Sequence, residues 1–233
     1  MSEYLENIIA NLKKIEAEEG EKLNAAAGLV ANAIEKDGLV HIFGCGHSHL
    51  PGLDAFYRAG GLANISPLLD TDLMLHNGAA KSSRMEKMSG IAPEVFRRYR
   101  FEENDVLFVL SASGKNLVPV EMAQAAQQAG IKTVGISSSS YYDRGGKLHQ
   151  HVDIAIDCKV PYGDASVPVG QAMMGGLSTY AACFILNSCL LEGAKLALEK
   201  GVRPPVFMSG NIEGGRDYNI HLEEKYLGRV KHL

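Results

Sequence analysis

Between Asp105 and Ser140 the chain reads DVLFVLSASGKNLVPVEMAQAAQQAGIKTVGISSSS, and this stretch constrains the fold more than any other. Val106 to Leu110 is a continuous apolar run too short for a typical helix, which predicts a buried parallel strand. It ends abruptly in Ser111, Ala112, Ser113, Gly114, Lys115 and Asn116. From Leu117 the apolar residues Val120, Met122, Ala123 and Ala126 follow a helical period as far as Gly130, a helix stop, and Ile131 to Ile136 reads as a second buried strand. The whole is a βαβ unit. Ligands of such units bind in the crevice beyond the carboxyl ends of the strands, where a helix amino terminus offers free N–H groups to an anion. Ser111, Ser113 and Asn116 can add side-chain hydrogen bonds to phosphate oxygens, and Gly114 allows close backbone approach. Serines and an asparagine after a strand also serve simply as helix caps, so the loop alone does not decide the matter.

A second loop of the same kind decides more. Gly38 to Phe43 predicts the first strand; GCGHSH, residues 44 to 49, follows its carboxyl end, and a helix is expected from Leu50 to Ala59. Gly44 and Gly46 permit tight turns beside a ligand, Ser48 can donate to a phosphate or a sugar hydroxyl, and His47 and His49 titrate near neutrality. Two such loops in one α/β pattern point to a shared anion pocket. The net charge of −4 gives no overall basic field for nucleic acid or an anionic membrane, and a small anionic ligand needs only a local site.

Elsewhere, residues 2 to 36 predict a long amphipathic helix or a pair broken at Gly20, covering either a sheet face or a partner subunit, of which the partner is preferred. Leu62 to Leu69 predicts a strand. Residues 70 to 92, with His76, Lys81, Arg84 and Glu86, read either as a binding loop or as a short helix around Arg84. Pro93 marks a helix start and Val152 to Ile156 a last strand. Residues 159 to 171 read as a loop opening a long apolar helix from Gln171 to Lys200, and His221 to Leu233 as a final amphipathic helix. The intervening 204 to 219 is either a connection or an arm completing a neighbour's pocket. Cys45, Cys158, Cys183 and Cys189 show no CxxC pairing, which suits reduced, packed thiols and a cytoplasmic setting. The acidic start MSEYLENII does not resemble a signal peptide, and no apolar run is expected to reach the roughly 20 residues of a membrane span.

GCGHSHLPGLDAF and EVFRRYRFEENDVLFVLSASGKNLVPV, with ISSSS after the next strand, resemble the sugar isomerase (SIS) domain, most of all phosphoheptose isomerases, over residues 38 to 158. The resemblance implies a three-layer α/β/α fold with a five-stranded parallel sheet, here preceded by the helical segment 1–37 and followed by 201–233, in one domain with its core at 38–200. It implies phosphate binding by Ser48, Ser111, Ser113, Gly114 and Asn116, with Gly46, Ser137, Ser138 and Gln171 as helpers, and a homo-oligomer, dimer or tetramer. It does not supply the family's chemistry: after Asp54 the chain reads AFYRAGG where the isomerases carry a glutamate, and GQAMMGG keeps only Gln171 of their later motif. His47, His49 and Glu86 are the replacements for a proton-transfer group, with His76 a further candidate and Arg58 and Lys81 candidates for charge screening. The expectation is a sugar-phosphate binder that isomerises aldose to ketose, with no metal, cofactor, nucleic-acid or membrane partner. The alternative is a non-catalytic sugar-phosphate sensor; cleavage of a sugar ether or amide side chain also uses this fold.

Overall fold

The computed structural model describes residues 1–233. In chain order the elements are α1 (Glu3–Glu35), β1 (Val40–Gly44), α2 (Leu50–Ala55), β2 (Ile65–Leu68), α3 (Ala79–Met85), α4 (Ile91–Arg97), β3 (Val106–Leu110), α5 (Leu117–Gln128), β4 (Lys132–Ser137), β5 (Ile154–Asp157), β6 (Ala165–Val169), β7 (Ala172–Gly176), α6 (Ser178–Glu199) and α7 (Gly215–Tyr226). The first five strands form one sheet in the order β2-β1-β3-β4-β5, every pair parallel. β1 and β3 are neighbours in register, Gly44 beside Leu110, so the loops leaving them emerge side by side. This is the expected fold, a parallel sheet between two helical layers.

Continuous apolar strands need cover on both faces. On one face α1 and α6 bring Ile15, Val30, Ile34, Ile185, Leu186 and Cys189 onto Val40, Ile42, Val106 and Phe108. On the other, α4 and α5 bring Ala92, Val95, Val118, Met122 and Ala126 onto Phe43, Leu107 and Val109. The α1–α6 contact is close: a Cβ on Gly193 would lie 2.6 Å from the Val30 side chain.

Several expectations are decided between alternatives or corrected here. α1 runs unbroken through Gly20, where the cost of glycine in a helix is only about 1 kcal/mol, and its apolar face covers the chain's own sheet, the less preferred alternative. α2 stops at Ala55, because Phe56 is extended and Tyr57 has φ +46°. Within 70 to 92 the helix reading holds, as α3. The stretch expected to open a long helix at Gln171 is instead an antiparallel hairpin, β6 and β7, turning at Gly170 (φ +61°), and α6 begins only at Ser178. Asp164 sets that start: its carboxylate accepts from the Leu177 and Ser178 amides at 3.1 and 2.8 Å and from the Ser178 hydroxyl at 2.6 Å. α6 is long and apolar enough to cross a membrane by length and composition, contrary to expectation, yet its Ala181, Ile185, Leu186 and Cys189 are buried in the core. The start of the 204–219 segment is folded back on its own sheet edge: Ala63 donates to the Pro205 carbonyl at 2.7 Å and Phe207 to that of Gly61 at 2.9 Å. The last helix, α7, begins and ends six or seven residues earlier than its apolar pattern suggests.

Candidate functional site

The loop after β3 is built to leave amides free. The Ser111 amide continues the ladder to the Ile136 carbonyl, and the chain then tightens so that the Gly114 amide donates to both the carbonyl (3.0 Å) and the hydroxyl (3.2 Å) of Ser111. Gly114 has φ +57°, and its carbonyl accepts from the Lys147 and Leu148 amides, which clips the loop to the turns after β4. A Cβ there would meet the Leu148 Cβ at 3.2 Å. We therefore expect Gly114→Ala to combine that contact with left-handed strain of about 1–2 kcal/mol, lowering the thermal midpoint of the protein and broadening the amide signals of residues 111–117 in NMR spectra.

Asn116 is the N-cap residue of α5, yet its side chain makes no capping hydrogen bond. The reason lies in the next residues. The third helical position is Pro119, which has no N–H, and the second, Val118, donates instead to the Glu86 carbonyl at 3.1 Å. The amides of Ser113, Asn116 and Leu117 donate to no protein group. Together with the positive end of α5 they make an anion-binding turn.

The loop after β1 forms the facing wall. A Cβ on Gly44 would sit 2.1 Å from the Ser48 carbonyl oxygen, so the fold-back of residues 45 to 48 requires glycine at that position. The two loops, together with α3, enclose a cleft of about 330 Å³ lined by Gly46, His47, Ser48, Ser111, Ser113 and Asn116, by Ser82, Ser83 and Glu86 from α3, and by Cys45, Leu75 and Tyr141. Past His47, Ser48 and Ser111 a gap of about 10 Å³, the size of one water, reaches Ser178 and Thr179 at the start of α6.

Electrostatically the cleft holds one carboxyl, that of half-buried Glu86. Burial pushes its pKa up, partly opposed by the Asn116 side chain beside it and by Lys87. Burial likewise pushes the Cys45 thiol far up, so it stays protonated at neutral pH.

Of the residues singled out in the sequence, Gly46, His47, Ser48, Glu86, Ser111, Ser113 and Asn116 meet in this cleft, and Gly114 shapes it from behind. The others lie elsewhere. His49 is buried beneath the first loop, with Nδ1 against the Gly46 carbonyl, Nε2 without a partner, and its ring edge-on to His76 at 5.4 Å. Burial pulls its pKa down. Ser138 spends its hydroxyl on the Val160 carbonyl at 2.6 Å, Ser137 is buried against Gly114, and Gln171 is exposed in the hairpin turn. Lys81 pairs with Asp72 at 2.7 Å and Arg58 with Asp54. Ser83 and Tyr141 were not singled out. Ser83 had a readable signal, since it stands three residues before Glu86 and so on the same helix face.

Comparison with known proteins follows the same lines. The SIS domain family model matches residues 3–138, which run from α1 through β4 and contain both loops and Glu86. The UPF0309 protein Teth39_1980 of Thermoanaerobacter pseudethanolicus is 39% identical over 244 aligned positions, covering 99% of each chain. The UPF0309 protein TTE0306 of Caldanaerobacter subterraneus is 40% identical, covering 99% of this chain and 98% of its own. Two solved phosphoheptose isomerases share the fold. That from Neisseria gonorrhoeae has a TM-score of 0.52 at 18% identity, covering 85% of this chain and 95% of its own. That from Francisella tularensis has 0.53 at 16%, with 82% and 94% covered. With the family model spanning more than half of its length and full-length relatives at this identity, the chain belongs to the SIS domain family.

Proposed function

We propose that the protein binds a sugar phosphate in the cleft between the β1 and β3 loops and interconverts its aldose and ketose forms. The observation that carries this reading is the meeting, in one cleft of about 330 Å³, of a turn with free amides at a helix amino terminus, hydroxyls from two loops, and a half-buried carboxyl. That volume lies in the ordinary range for small-molecule sites. The phosphate sits on the Ser113, Asn116 and Leu117 amides with the Ser111 and Ser113 hydroxyls, and the sugar extends toward α3 and Ser48.

Aldose–ketose isomerisation needs one group to carry a proton between adjacent carbons and another to polarise oxygen. The Glu86 carboxylate takes the proton from C2 of the open-chain aldose as its electron pair forms the C1–C2 double bond of an enediol, and the carbonyl oxygen gains a proton from His47. The carboxylic acid then returns its proton to C1 while the C2 hydroxyl gives its proton to the imidazole. Nothing is consumed, and both groups end as they began.

Calorimetry with a panel of hexose, hexosamine and heptose phosphates, followed by proton exchange in heavy water, tests this. Ser113→Ala should weaken binding about tenfold or more, the value of one hydrogen bond to a charged group. Unchanged affinity would remove the loop from the site. The second reading, a sugar-phosphate sensor without turnover, is favoured by Glu86 being the only acidic residue in the cleft lining and by the exposure of His47. Binding without solvent exchange at C1 or C2 would decide for the sensor.

A further inference from the structure

Asn116 occupies a cap position without capping, because Pro119 lacks the N–H it would serve and the Glu86 carbonyl takes the Val118 amide. Its side chain is thereby released from the role that an asparagine at this position ordinarily fills. Asn116 and Glu86 line the same cleft, brought together by the Val118 amide on the Glu86 carbonyl, and the Asn116 side chain lies on the carboxyl's side of it. The pairing is mechanically firm: the Glu121 carboxylate of α5 accepts from the Ser89 hydroxyl at 2.5 Å and the Gly90 amide at 2.8 Å, holding the segment after α3 against the start of α5. The Asn116 backbone amide, meanwhile, is one of the three free donors of the anion-binding turn. One residue thus stands with its backbone at the phosphate position and its side chain at the carboxyl.

Resting on the sugar-phosphate reading above, we infer that Asn116 is a positioning residue coupling phosphate occupancy to Glu86: its side-chain amide faces the carboxyl in the free protein and turns to a phosphate oxygen when ligand binds, leaving the carboxylate the stronger base. Substrate arrival, rather than the resting protein, then readies the proton acceptor. The other titratable or charged groups around this carboxyl are Lys87 just past α3, Cys45 and His47 of the first loop and Tyr141 after β4. None of them also belongs to the anion-binding turn.

The test follows the Glu86 side-chain carbon by NMR, assigned with Glu86→Gln, across pH with and without inorganic phosphate. Phosphate should raise the Glu86 pKa by about one unit in the wild type. In Asn116→Ala the pKa should start higher without phosphate and move less when phosphate is added; Asn116→Ser, which keeps a small polar side chain but no amide group, should behave the same way if the alanine variant folds poorly. An equal phosphate-induced rise in wild type and both variants would mean that the dianion's field acts alone, and would overturn the coupling. So would phosphate shifts at the Ser113 and Leu117 amides with no change at Glu86, and that result would leave the binding site standing. No amide shift with phosphate, nor with any sugar phosphate of the panel, would bring down the site and the coupling together.

Discussion

Replacing Lys159 with methionine is expected to cost about 3–5 kcal/mol at neutral pH, the penalty for stranding buried charge. The Lys159 ammonium lies 2.6 Å from Glu19, 3.1 Å from Glu18 and 3.2 Å from Asp157, and it clamps the middle of α1 to the end of β5. Glu19 and Asp157 are buried, at 4% and 6% exposure, so their charges depend on protein partners. Burial alone pushes the Glu19 carboxyl up. Hydrogen bonds from Lys159 and Lys22 overcome it and hold Glu19 below the usual range, and Asp157 is held low in the same way against burial by Ser139 and Lys159. Their contribution is therefore present above the ordinary carboxylate range and lost as pH falls through the lowered folded values. Lys159 itself is raised, so its share is present below the ordinary lysine value and is lost as pH rises through the folded one. In Lys159→Met, burial is left opposed by fewer partners and the carboxyls titrate higher. The loss should then be largest near neutrality and shrink toward about pH 5, where protonation relieves it. Urea unfolding of both proteins at neutral and mildly acidic pH measures this. A loss that stays constant with pH would mean that Lys159 contributes through the packing of its stem instead.

The central βαβ unit was legible because each of its signals is local. An apolar run of strand length, a helical period and Gly130 with φ +75° all report on their own residues, and β3, α5 and β4 lie within one residue of where they were read. The failures came where the deciding partner is distant in sequence. VPVGQAMM carries enough apolar residues to join the helix that follows, and what prevents this is Asp164 capping Ser178 from fourteen residues away. His47 and His49 are chemically alike and two residues apart. Only the fold-back after Gly44 sends one to the cleft and the other beneath it. Ser138 reads as a phosphate ligand until the Val160 carbonyl is seen to hold its hydroxyl. Glu86 was among the candidates by residue type alone, and its place depends on α3 docking through the Val118 amide, a contact across thirty-two residues that no local pattern announces.

Glu86→Gln is expected to reduce exchange of the substrate's C1 or C2 proton with solvent by about 10²–10⁴-fold, the usual contribution of a positioned general base. Sugar-phosphate affinity should change only a few-fold, because the phosphate contacts lie on the 111–117 turn. Glutamine keeps the shape and the contact with Asn116 and removes only the capacity to accept a proton. Burial raises the Glu86 pKa, so the acidic limb of kcat/KM against pH should lie above the ordinary glutamate value in the wild type. The same raised pKa means that folding is penalised once pH rises above the usual glutamate range, since the folded carboxyl resists ionising more than the unfolded one. Glu86→Gln should therefore be slightly more stable than wild type at neutral pH even as it loses turnover. A carboxyl kept for packing would show the reverse, lost stability with unchanged exchange, and a protein that binds sugar phosphates without exchange in either form would place Glu86 in a sensor's recognition surface rather than in a reaction.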